Sequence, residues 1–247
     1  PIIHPTVTDY SGALGVAWEW GNWAMDTSLV YGYNEMEFVI ENTLNRSLGT
    51  ASGTRFDAGG FDHDQLVFNF SGVREFDWGM ASPVNLAAGV EARLENYSIF
   101  AGEPDSYRNG GVLLNGQPTA SGAQVFPGFR PENAGSEDRT AVGAYVDLEA
   151  NLTDKLLGSA AVRVEDYSDF GSNVSGKLSL RYDFTDSFAL RGSVSNGFRA
   201  PSLQQQFFAT TSTNFIGGVP FDITTFPATD PVAEALGAKP LDAETSL

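Results

Sequence analysis

The stretch FALRGSVSNGFRAPSLQQQ, residues 188–206, decides the fold. Its first half alternates between an apolar and a polar row, the period of two that is typical of a β-strand with two unlike faces. The apolar row is Phe188, Leu190, Gly192 and Val194, and the opposite row is Ala189, Arg191, Ser193 and Ser195. Asn196-Gly197 predicts a looser backbone, and Pro201, which lacks an amide N–H, predicts the end of the strand.

The same alternation recurs along the chain and predicts eight long antiparallel strands. They cover residues 11–20, 23–44, 66–70, 84–100, 140–152, 156–164, 174–184 and 188–196. The apolar parity switches across Gly21-Asn22, which predicts a two-residue hairpin with Trp20 opposite Trp23. Residues 23–44 show one phase slip near 33–36, which we interpret as a bulge in a single strand.

The connections between these strands alternate in length. Short or modest turns are predicted at residues 21–22, 74–83, 153–155 and 185–187, long loops at 45–62, 101–139 and 197–247, and an intermediate one at 167–172. Six aromatic residues cluster near the short turns: Trp18, Trp20, Trp23, Trp78, Phe184 and Phe188. Short turns at one end of the sheet and long loops at the other are typical of an outer-membrane barrel. The fold class predicted is therefore all-β, an antiparallel up-and-down transmembrane β-barrel segment.

Composition excludes several classes of function. The formal net charge of −17 argues against nucleic acid as a partner, because phosphate binding needs a basic surface. The sequence has no run of 18 apolar residues, so a transmembrane helix is not expected. With no cysteine and two histidines, His4 and His63, that we place far apart on loops, neither a metal site nor a catalytic triad is predicted, and no cofactor.

Three segments, in this order, resemble the TonB-dependent outer-membrane receptors. They are NLAAGVEARLENYSIFAGEPDSYRNGG (85–111), AAVRVEDYSDFGSNVSGKLSLRYDF (160–184) and the strand-end motif GFRAPSLQQQ (197–206). The resemblance covers about residues 15–247. It implies a barrel of about 22 strands closed by an N-terminal plug, of which residues 1–247 would be a middle part of the barrel domain, without the plug.

The resemblance also implies a function. Such a receptor lies in the outer membrane of a Gram-negative bacterium, among outer-membrane lipid, and takes up a scarce nutrient: a siderophore or other iron chelate, a vitamin or an oligosaccharide. Its partners in the full-length parent would be its own plug domain and the inner-membrane TonB complex, which acts on a TonB box that this sequence lacks. Two alternatives stay open: a small outer-membrane porin or adhesin, and a soluble carbohydrate-binding β-sandwich.

Candidate ligand residues are aromatic side chains on the predicted long loops, which could stack on a sugar or chelate. They are Tyr107, Phe126, Phe207, Phe208 and Phe215. The alternative is that they pack the loops on themselves. The strand-end motif that resembles the family is Gly197, Phe198, Arg199, Ala200, Pro201 and Ser202, in which we interpret Arg199 as a strand-end anchor.

The charged residues of the predicted polar faces are expected to line a wet lumen. They are Glu91, Arg93, Asp147, Glu149, Arg163, Glu165, Lys177, Arg181 and Arg191. Carboxylates among them, with Glu95, could supply the pair that glycoside hydrolysis requires. We favour the other interpretation, in which the acidic residues pair with the arginines and lysine of the same wall and the protein is not an enzyme.

Overall fold

A computed structural model, which describes all of residues 1–247, contains eleven β-strands and three short α-helices. The strands are β1 (Ile2–Trp20), β2 (Trp23–Glu41), β3 (Arg55–Phe76), β4 (Val84–Ala101), β5 (Gly135–Thr153), β6 (Leu156–Tyr167), β7 (Gly171–Thr185), β8 (Phe188–Arg199), β9 (Thr210–Ile216), β10 (Val219–Thr225) and β11 (Glu244–Ser246). The helices are α1 (Pro104–Tyr107), α2 (Leu203–Phe207) and α3 (Pro231–Ala235), with 3-10 turns at Arg46–Ala51 and Pro131–Asn133. None of the helices is long and apolar enough to cross a bilayer.

Nine strands form one antiparallel sheet in the order β1 to β8, then β11, so that β1 to β8 pair with their neighbours in sequence and β11 joins β8 beyond the separate hairpin β9–β10. This confirms the predicted up-and-down order. The sheet is open, because β1 pairs only with β2 and β11 only with β8. Strands β1 to β8 have 12 to 22 residues, well above the usual five or six.

The hairpin predicted at Gly21-Asn22 is confirmed, with Trp20 directly opposite Trp23. Gly21 has φ 62°, whereas Asn22 is not among the residues with positive φ. A positive φ at the first central residue alone is the signature of a type II′ turn, which glycine adopts without strain.

The long strand β2 is also confirmed, but its irregularity lies later than residues 33–36. Its register with β3 shifts between Glu37 and Val39, where Ala58 and Gly59 of β3 stand opposite Phe38. Gly59 has φ 75°, and a Cβ on Gly60 would collide with the Met36 carbonyl oxygen. The predicted loop at 45–62 was therefore wrong in its second half, since these glycines mark a bulge and a close strand approach inside β3.

The two turns predicted to have three residues have two residues and a bulge instead. The register shifts between Asn151 and Thr153, and again between Asp183 and Thr185. The extra residue is Leu152 in one hairpin and Phe184 in the other. The prediction that an odd number of residues separates the paired strands was correct. One bulged residue plus a two-residue turn keeps the apolar rows of both strands on one face.

Other predicted boundaries were wrong because strand pairing extends beyond the alternating pattern. Strand β1 begins at Ile2 and not at residue 11, β3 covers Arg55–Phe76 and not only 66–70, β6 ends at Tyr167, and the predicted loop 197–247 contains β9, β10 and β11. Strand β5 begins at Gly135, so the long loop is 102–134, and β7 begins at Gly171, so the intermediate connection is 168–170. The modest turn is 77–83. Strand β8 runs through Asn196 and Gly197 to Arg199, since β11 pairs with it there. Both histidines lie in strands, His4 in β1 and His63 in β3, and not on loops.

The small hydrophobic core lies at the long-loop end of the sheet, on one of its faces. Tyr97 and Ile99 of β4 contact Phe129 of the 102–134 loop and Leu203 of α2. Tyr97 and Ile99 are odd-numbered, as are Glu91, Arg93 and Glu95 of the same strand, so the loops fold over the charged face. We call this charged, loop-covered face the inner face and the opposite one the outer face.

Candidate functional site

The outer face carries an apolar row on every long strand and has no protein against it. On β5 and β7, Val142 and Val174 are each 60% exposed, and Leu178 and Leu180 about half exposed. Soluble monomers rarely expose contiguous apolar surfaces on this scale. The apolar face therefore requires an environment other than water.

Aromatic residues border this apolar band at both ends. Trp20 and Trp23 lie at the first short turn, and Trp78 at the turn after β3. At the other end Tyr10 of β1 stacks on Tyr33 of β2, with ring centroids 4.9 Å apart. Beyond Tyr33 the outer face becomes polar. The aromatic cluster predicted from the sequence covers only the tryptophan end, although the tyrosines keep the same two-residue spacing.

The height of the band can be estimated from β1. Tyr10 and Trp20 are ten residues apart, which is about 33 Å along an extended strand. At the tilt of about 40° that is usual in outer-membrane barrels, this gives about 25 Å across the membrane. The height of the apolar band thus matches that of the apolar band with which outer-membrane barrels cross the bilayer.

The inner face carries a network of four of the predicted lumen charges. The Arg163 guanidinium donates to Glu91 at 3.2 Å and to Glu165 at 2.8 Å, and Arg93 donates to the same Glu91 oxygen at 2.8 Å. These side chains come from β4 and β6, on either side of Gly143 in β5. A Cβ at Gly143 would lie only 3.0 Å from the Arg163 guanidinium, so the glycine leaves room for the bridge.

The other predicted lumen charges are not drawn into this network. Arg181 pairs with Asp183 at 2.9 Å on its own strand, and it lies directly opposite Arg191. The remaining charges make no ion pair within 4 Å, and they are Asp147, Glu149, Lys177 and Arg191. The predicted pairing of acidic and basic residues is therefore found for Glu91, Arg93, Arg163 and Glu165, and for Arg181 with Asp183, but not for the other four charges.

A second inner-face network centres on Arg139, which the sequence analysis assigned to a loop. Its side chain is 5% exposed and donates to Glu95 at 2.8 Å and to the Pro201 carbonyl at 2.6 Å, with Asp169 at 3.4 Å. Arg139 has the odd parity of the polar row that follows it, and this was the signal that could have placed it in β5. The network fastens the strand-end motif to the inner wall.

The motif itself continues from strand into helix. Gly197, Phe198 and Arg199 pair with β11, and the Phe198 ring packs edge-on against Tyr167 at 6.0 Å. After Ala200 and the buried Pro201, Ser202 caps α2. Its side chain accepts from the Gln205 amide while the Gln205 side chain accepts from the Ser202 amide, a capping box. The Arg199 side chain is exposed and makes no polar contact, so the anchoring contact comes from Arg139.

The five loop aromatics fall into two groups. Phe126, Phe207 and Phe208 pack against the core cluster, with Phe126 4.9 Å from Phe38 and Phe208 6.2 Å from Phe129 between ring centroids. Tyr107 in α1 is half-buried, and Phe215 in β9 is 52% exposed. The first group contributes to loop packing, while Phe215 is the most open to a solute.

An ion pair joins the two long loops. Arg130 of the 102–134 loop donates to Asp222 of β10 at 2.7 Å, and Thr213 of β9 donates to the other Asp222 oxygen at 2.7 Å. The hydrogen bond from Arg130 holds the pKa of the Asp222 carboxyl below its usual range. The two loops therefore form one unit over the inner face.

Comparison with known proteins identifies the family. A sequence model described as "TonB dependent receptor-like, beta-barrel" matches residues 4–247. The vitamin B12 transporter BtuB of Vibrio cholerae serotype O1 is 31% identical over 70 residues, 28% of this chain and 11% of BtuB.

Solved structures share the fold at low identity. The siderophore receptor PirA of Acinetobacter baumannii superposes with a TM-score of 0.62 at 18% identity, over 98% of this chain and 31% of PirA. A variant of the ferric enterobactin receptor PfeA of Pseudomonas aeruginosa gives a TM-score of 0.63 at 14% identity, over 98% and 31%. The chain thus spans about a third of the length of these receptors. With the family match over nearly all of its residues, the chain belongs to the β-barrel family of TonB-dependent receptors.

Proposed function

We propose that this chain is part of the barrel wall of an energy-coupled receptor that takes up a scarce nutrient across the outer membrane. The observation that carries the proposal is the wall with two unlike faces. One face is an exposed apolar band about 25 Å high between tryptophans and tyrosines, and the other is charged, ion-paired and covered by loops. Membership of the receptor family supports the same assignment.

The orientation in the membrane follows from the connections. The two-residue turns and the 77–83 turn lie at one end, and the 102–134 loop and the residues between β8 and β11 lie at the other. In outer-membrane barrels the short turns face the periplasm and the long loops face outward. We therefore place the loop unit joined by Arg130 and Asp222 on the outside of a Gram-negative cell, where a nutrient arrives.

A plug domain inside the barrel would explain why cations on the inner face of β7 and β8 have no acidic partner. Lys177 and Arg191 have no acidic partner in this chain, and Arg181 and Arg191 stand directly opposite each other. Like charges at such positions repel each other unless other groups compensate them. Acidic groups of a plug in the full-length parent, coupled to the inner-membrane TonB complex through a TonB box, are the compensation we propose.

Transport without catalysis fits the state of the acidic residues. A retaining or inverting glycosidase needs one carboxyl group protonated as the acid. Glu91, Glu95 and Glu165 each accept a hydrogen bond from a guanidinium, so each is already engaged in an ion pair of the wall. We therefore propose that these groups are structural ion pairs of the wall and carry out no hydrolysis.

The relatives suggest two classes of nutrient, because one is a vitamin B12 transporter and others are siderophore receptors. Oligosaccharides stay a third class. The loop aromatics Tyr107, Phe126, Phe207, Phe208 and Phe215 remain candidate contacts, with the exposed Phe215 the most accessible.

A small porin is disfavoured by the strand pairing, because a closed eight-stranded barrel would pair β1 with β8, whereas β8 pairs with β7 and β11. The exposed apolar band disfavours a soluble sandwich.

The test is nutrient uptake by cells with and without the gene of the full-length receptor. We expect the deletion to abolish high-affinity uptake of one nutrient, and a protonophore to abolish it equally, since the energy comes from the inner membrane. Uptake that persists in protonophore-treated cells and follows the concentration gradient would indicate a porin and contradict the proposal.

A further inference from the structure

One charged side chain interrupts the apolar outer face. Below the level of Tyr10 and Tyr33, counted from the short turn of each strand, the outward-facing residues of β1 to β8 are uncharged except for Arg74 near the end of β3. Its face is set by Gly72 of the same strand, where a Cβ would lie only 3.2 Å from the Trp23 ring. Because residues two apart on a strand share a face, Arg74 lies beside Trp23 at the tryptophan end of the band.

Two aromatic rings hold the Arg74 guanidinium in place. Its central carbon lies 4.6 Å from the centroid of the Phe76 ring and 6.0 Å from that of Trp23, and the two rings meet edge-on. The electron-rich faces of aromatic rings attract a cation at such distances. The guanidinium is therefore kept at the tryptophan level of the wall, where a membrane changes from hydrocarbon to headgroups.

No group of the protein neutralises this cation. Arg74 makes no ion pair within 4 Å and donates no hydrogen bond to the protein. The adjacent acidic residues are directed elsewhere, Glu75 to the inner face and Asp77 to the Gly79 amide. The Arg74 Nε is buried, whereas its two terminal amino groups keep accessible surface and can meet a ligand. Because an uncompensated charge on a lipid-facing surface is costly, these amino groups point to an anion of the membrane as their partner.

An apolar groove of about 210 Å³ opens on the same face beside these rings. Trp78, whose ring centroid is 5.8 Å from that of Phe76, borders the groove at the short-turn end. Its lining is almost entirely apolar and includes Ala160 of β6 and Leu178 of β7. Leu178 lies seven residues before the end of β7, whereas Arg74 lies two before the end of β3, so the groove leads from the level of Arg74 toward the membrane centre.

We propose that Arg74 and this groove bind one phospholipid of the periplasmic leaflet. The terminal amino groups of Arg74 donate to the phosphate, for which a guanidinium has the matching forked geometry. An acyl chain lies in the groove, which a free phosphate ion would leave empty. The assignment rests on the proposed function, which places the short turns on the periplasmic side of the membrane.

Native mass spectrometry of the full-length receptor in detergent micelles counts the lipid molecules that stay bound. The probe is dioleoyl phosphatidylglycerol, and dioleoylglycerol, which has the same chains without the phosphate, is its matched control. We expect the first phosphatidylglycerol to bind at least about tenfold more tightly than the first dioleoylglycerol, because only the phosphate accepts charge-assisted hydrogen bonds from Arg74. Arg74→Gln should reduce the affinity for phosphatidylglycerol to about the dioleoylglycerol level. Lys155→Gln, which removes an exposed cation at the same end of the wall, should leave it unchanged.

The groove is tested separately, so that a folding defect of Arg74→Gln cannot decide the result. Ala160→Phe fills the groove and keeps the arginine, while Ala92→Phe places the same ring on the outer face of β4 outside the groove lining. We expect Ala160→Phe to weaken binding of the first phosphatidylglycerol severalfold, because its acyl chain loses apolar contact, and Ala92→Phe to have no effect. Glycerol phosphate, which is the headgroup without chains, should not displace the lipid at equal concentration.

Equal affinity for the two lipids, or an affinity for phosphatidylglycerol that Arg74→Gln and Lys155→Gln change alike, would overturn the site. Displacement by glycerol phosphate would show a site for phosphate alone and overturn the lipid assignment. The proposed function fails separately, since it is contradicted by absence of the receptor from the outer-membrane fraction or by uptake that persists with a protonophore, and neither result depends on Arg74.

Discussion

The two faces of the wall are built from alternate residues of the same strands, yet they are stabilised in opposite ways. On the outer face of β5 and β7, Val146 and Leu180 contact no covering protein and need an apolar environment. On the inner face, Arg163 bonds to two carboxylates, and Arg139 is buried against Glu95 and the strand-end motif. The difference indicates that the outer face depends on an apolar environment and the inner face on specific polar partners, so substitutions on the two should fail for different reasons.

Removal of the most buried inner-face charge should have the largest effect. Arg139→Met leaves Glu95 buried without its guanidinium and frees the Pro201 carbonyl, a change that typically costs about 3–5 kcal/mol. Arg199→Met is the matched control, because the Arg199 side chain is exposed and makes no polar contact, and it should cost less than about 0.5 kcal/mol. Urea unfolding of the full-length receptor in detergent micelles measures both. Equal costs would show that the Arg139 network does not fasten the motif to the wall.

Charge placed on the outer face should come next. Val146→Arg and Leu180→Arg should each cost about 2–4 kcal/mol near the bilayer midplane and reduce the folded receptor in the outer-membrane fraction. Their inner-face neighbours provide the controls, since Asp147→Arg and Ser179→Arg place the same side chain in a wet lumen. A soluble sandwich would suffer from the first pair as well, but it would not appear in that membrane fraction.

A smaller effect is expected within the inner face. Arg163→Gln breaks the bridge between Glu91 and Glu165, and because these side chains are partly exposed, solvent screening limits the loss to about 1 kcal/mol. Lys177→Gln, which removes an unpaired cation, should have no measurable cost in this chain. If Lys177→Gln is the more costly in the full-length receptor, the missing contact lies in a part of the receptor outside this chain, as the proposed plug contact requires.

The smallest effect concerns pH and the loop unit. The pKa of Asp222 is lowered in the folded state, so its bond to Arg130 stabilises loop docking above the ordinary aspartate pKa of about 4. That contribution is lost as the pH falls through the lowered pKa, because the protonated carboxyl no longer attracts Arg130. The protection factors of the β9 and β10 amides, which are corrected for the intrinsic pH dependence of exchange, should fall below about pH 4 and be nearly unchanged between pH 5 and 8. In Arg130→Gln they should be low at every pH, and a pH step that survives this substitution would exclude the Asp222 pair as its cause.

The sequence alone could predict the parts of the fold that depend on local periodicity. Alternation identified the eight long strands, and parity identified the odd residue in two hairpins, later seen as the bulges at Leu152 and Phe184. At Gly59 and Gly60 the glycine-rich composition predicted a loop, because a bulge inside a strand has the same composition as a loop. Strand β11 has three residues, too few for a periodic signal.

The candidate site could be predicted only in part, because its contacts join distant segments. Arg130 and Asp222 are 92 residues apart, and Arg139 reaches the Pro201 carbonyl across 62 residues. Periodicity places a residue on a face but does not show which loop folds over it. The groove beside Trp78 is likewise lined by the 77–83 turn and by β5, β6 and β7, so only the structure brings these residues together.

The accessibility of nitroxide labels along β5 tests the two-faced wall most directly. Single cysteines at residues 142 to 149 of the full-length receptor, in bilayers and spin-labelled one at a time, are exposed to oxygen, which partitions into lipid, and to a water-soluble nickel chelate. We predict collision with oxygen at the even-numbered positions and with the nickel chelate at the odd-numbered ones, with a period of two. Uniform accessibility, or an oxygen maximum at Asp147 and Glu149 with none at Val146 and Leu148, would contradict the account that the apolar face meets lipid.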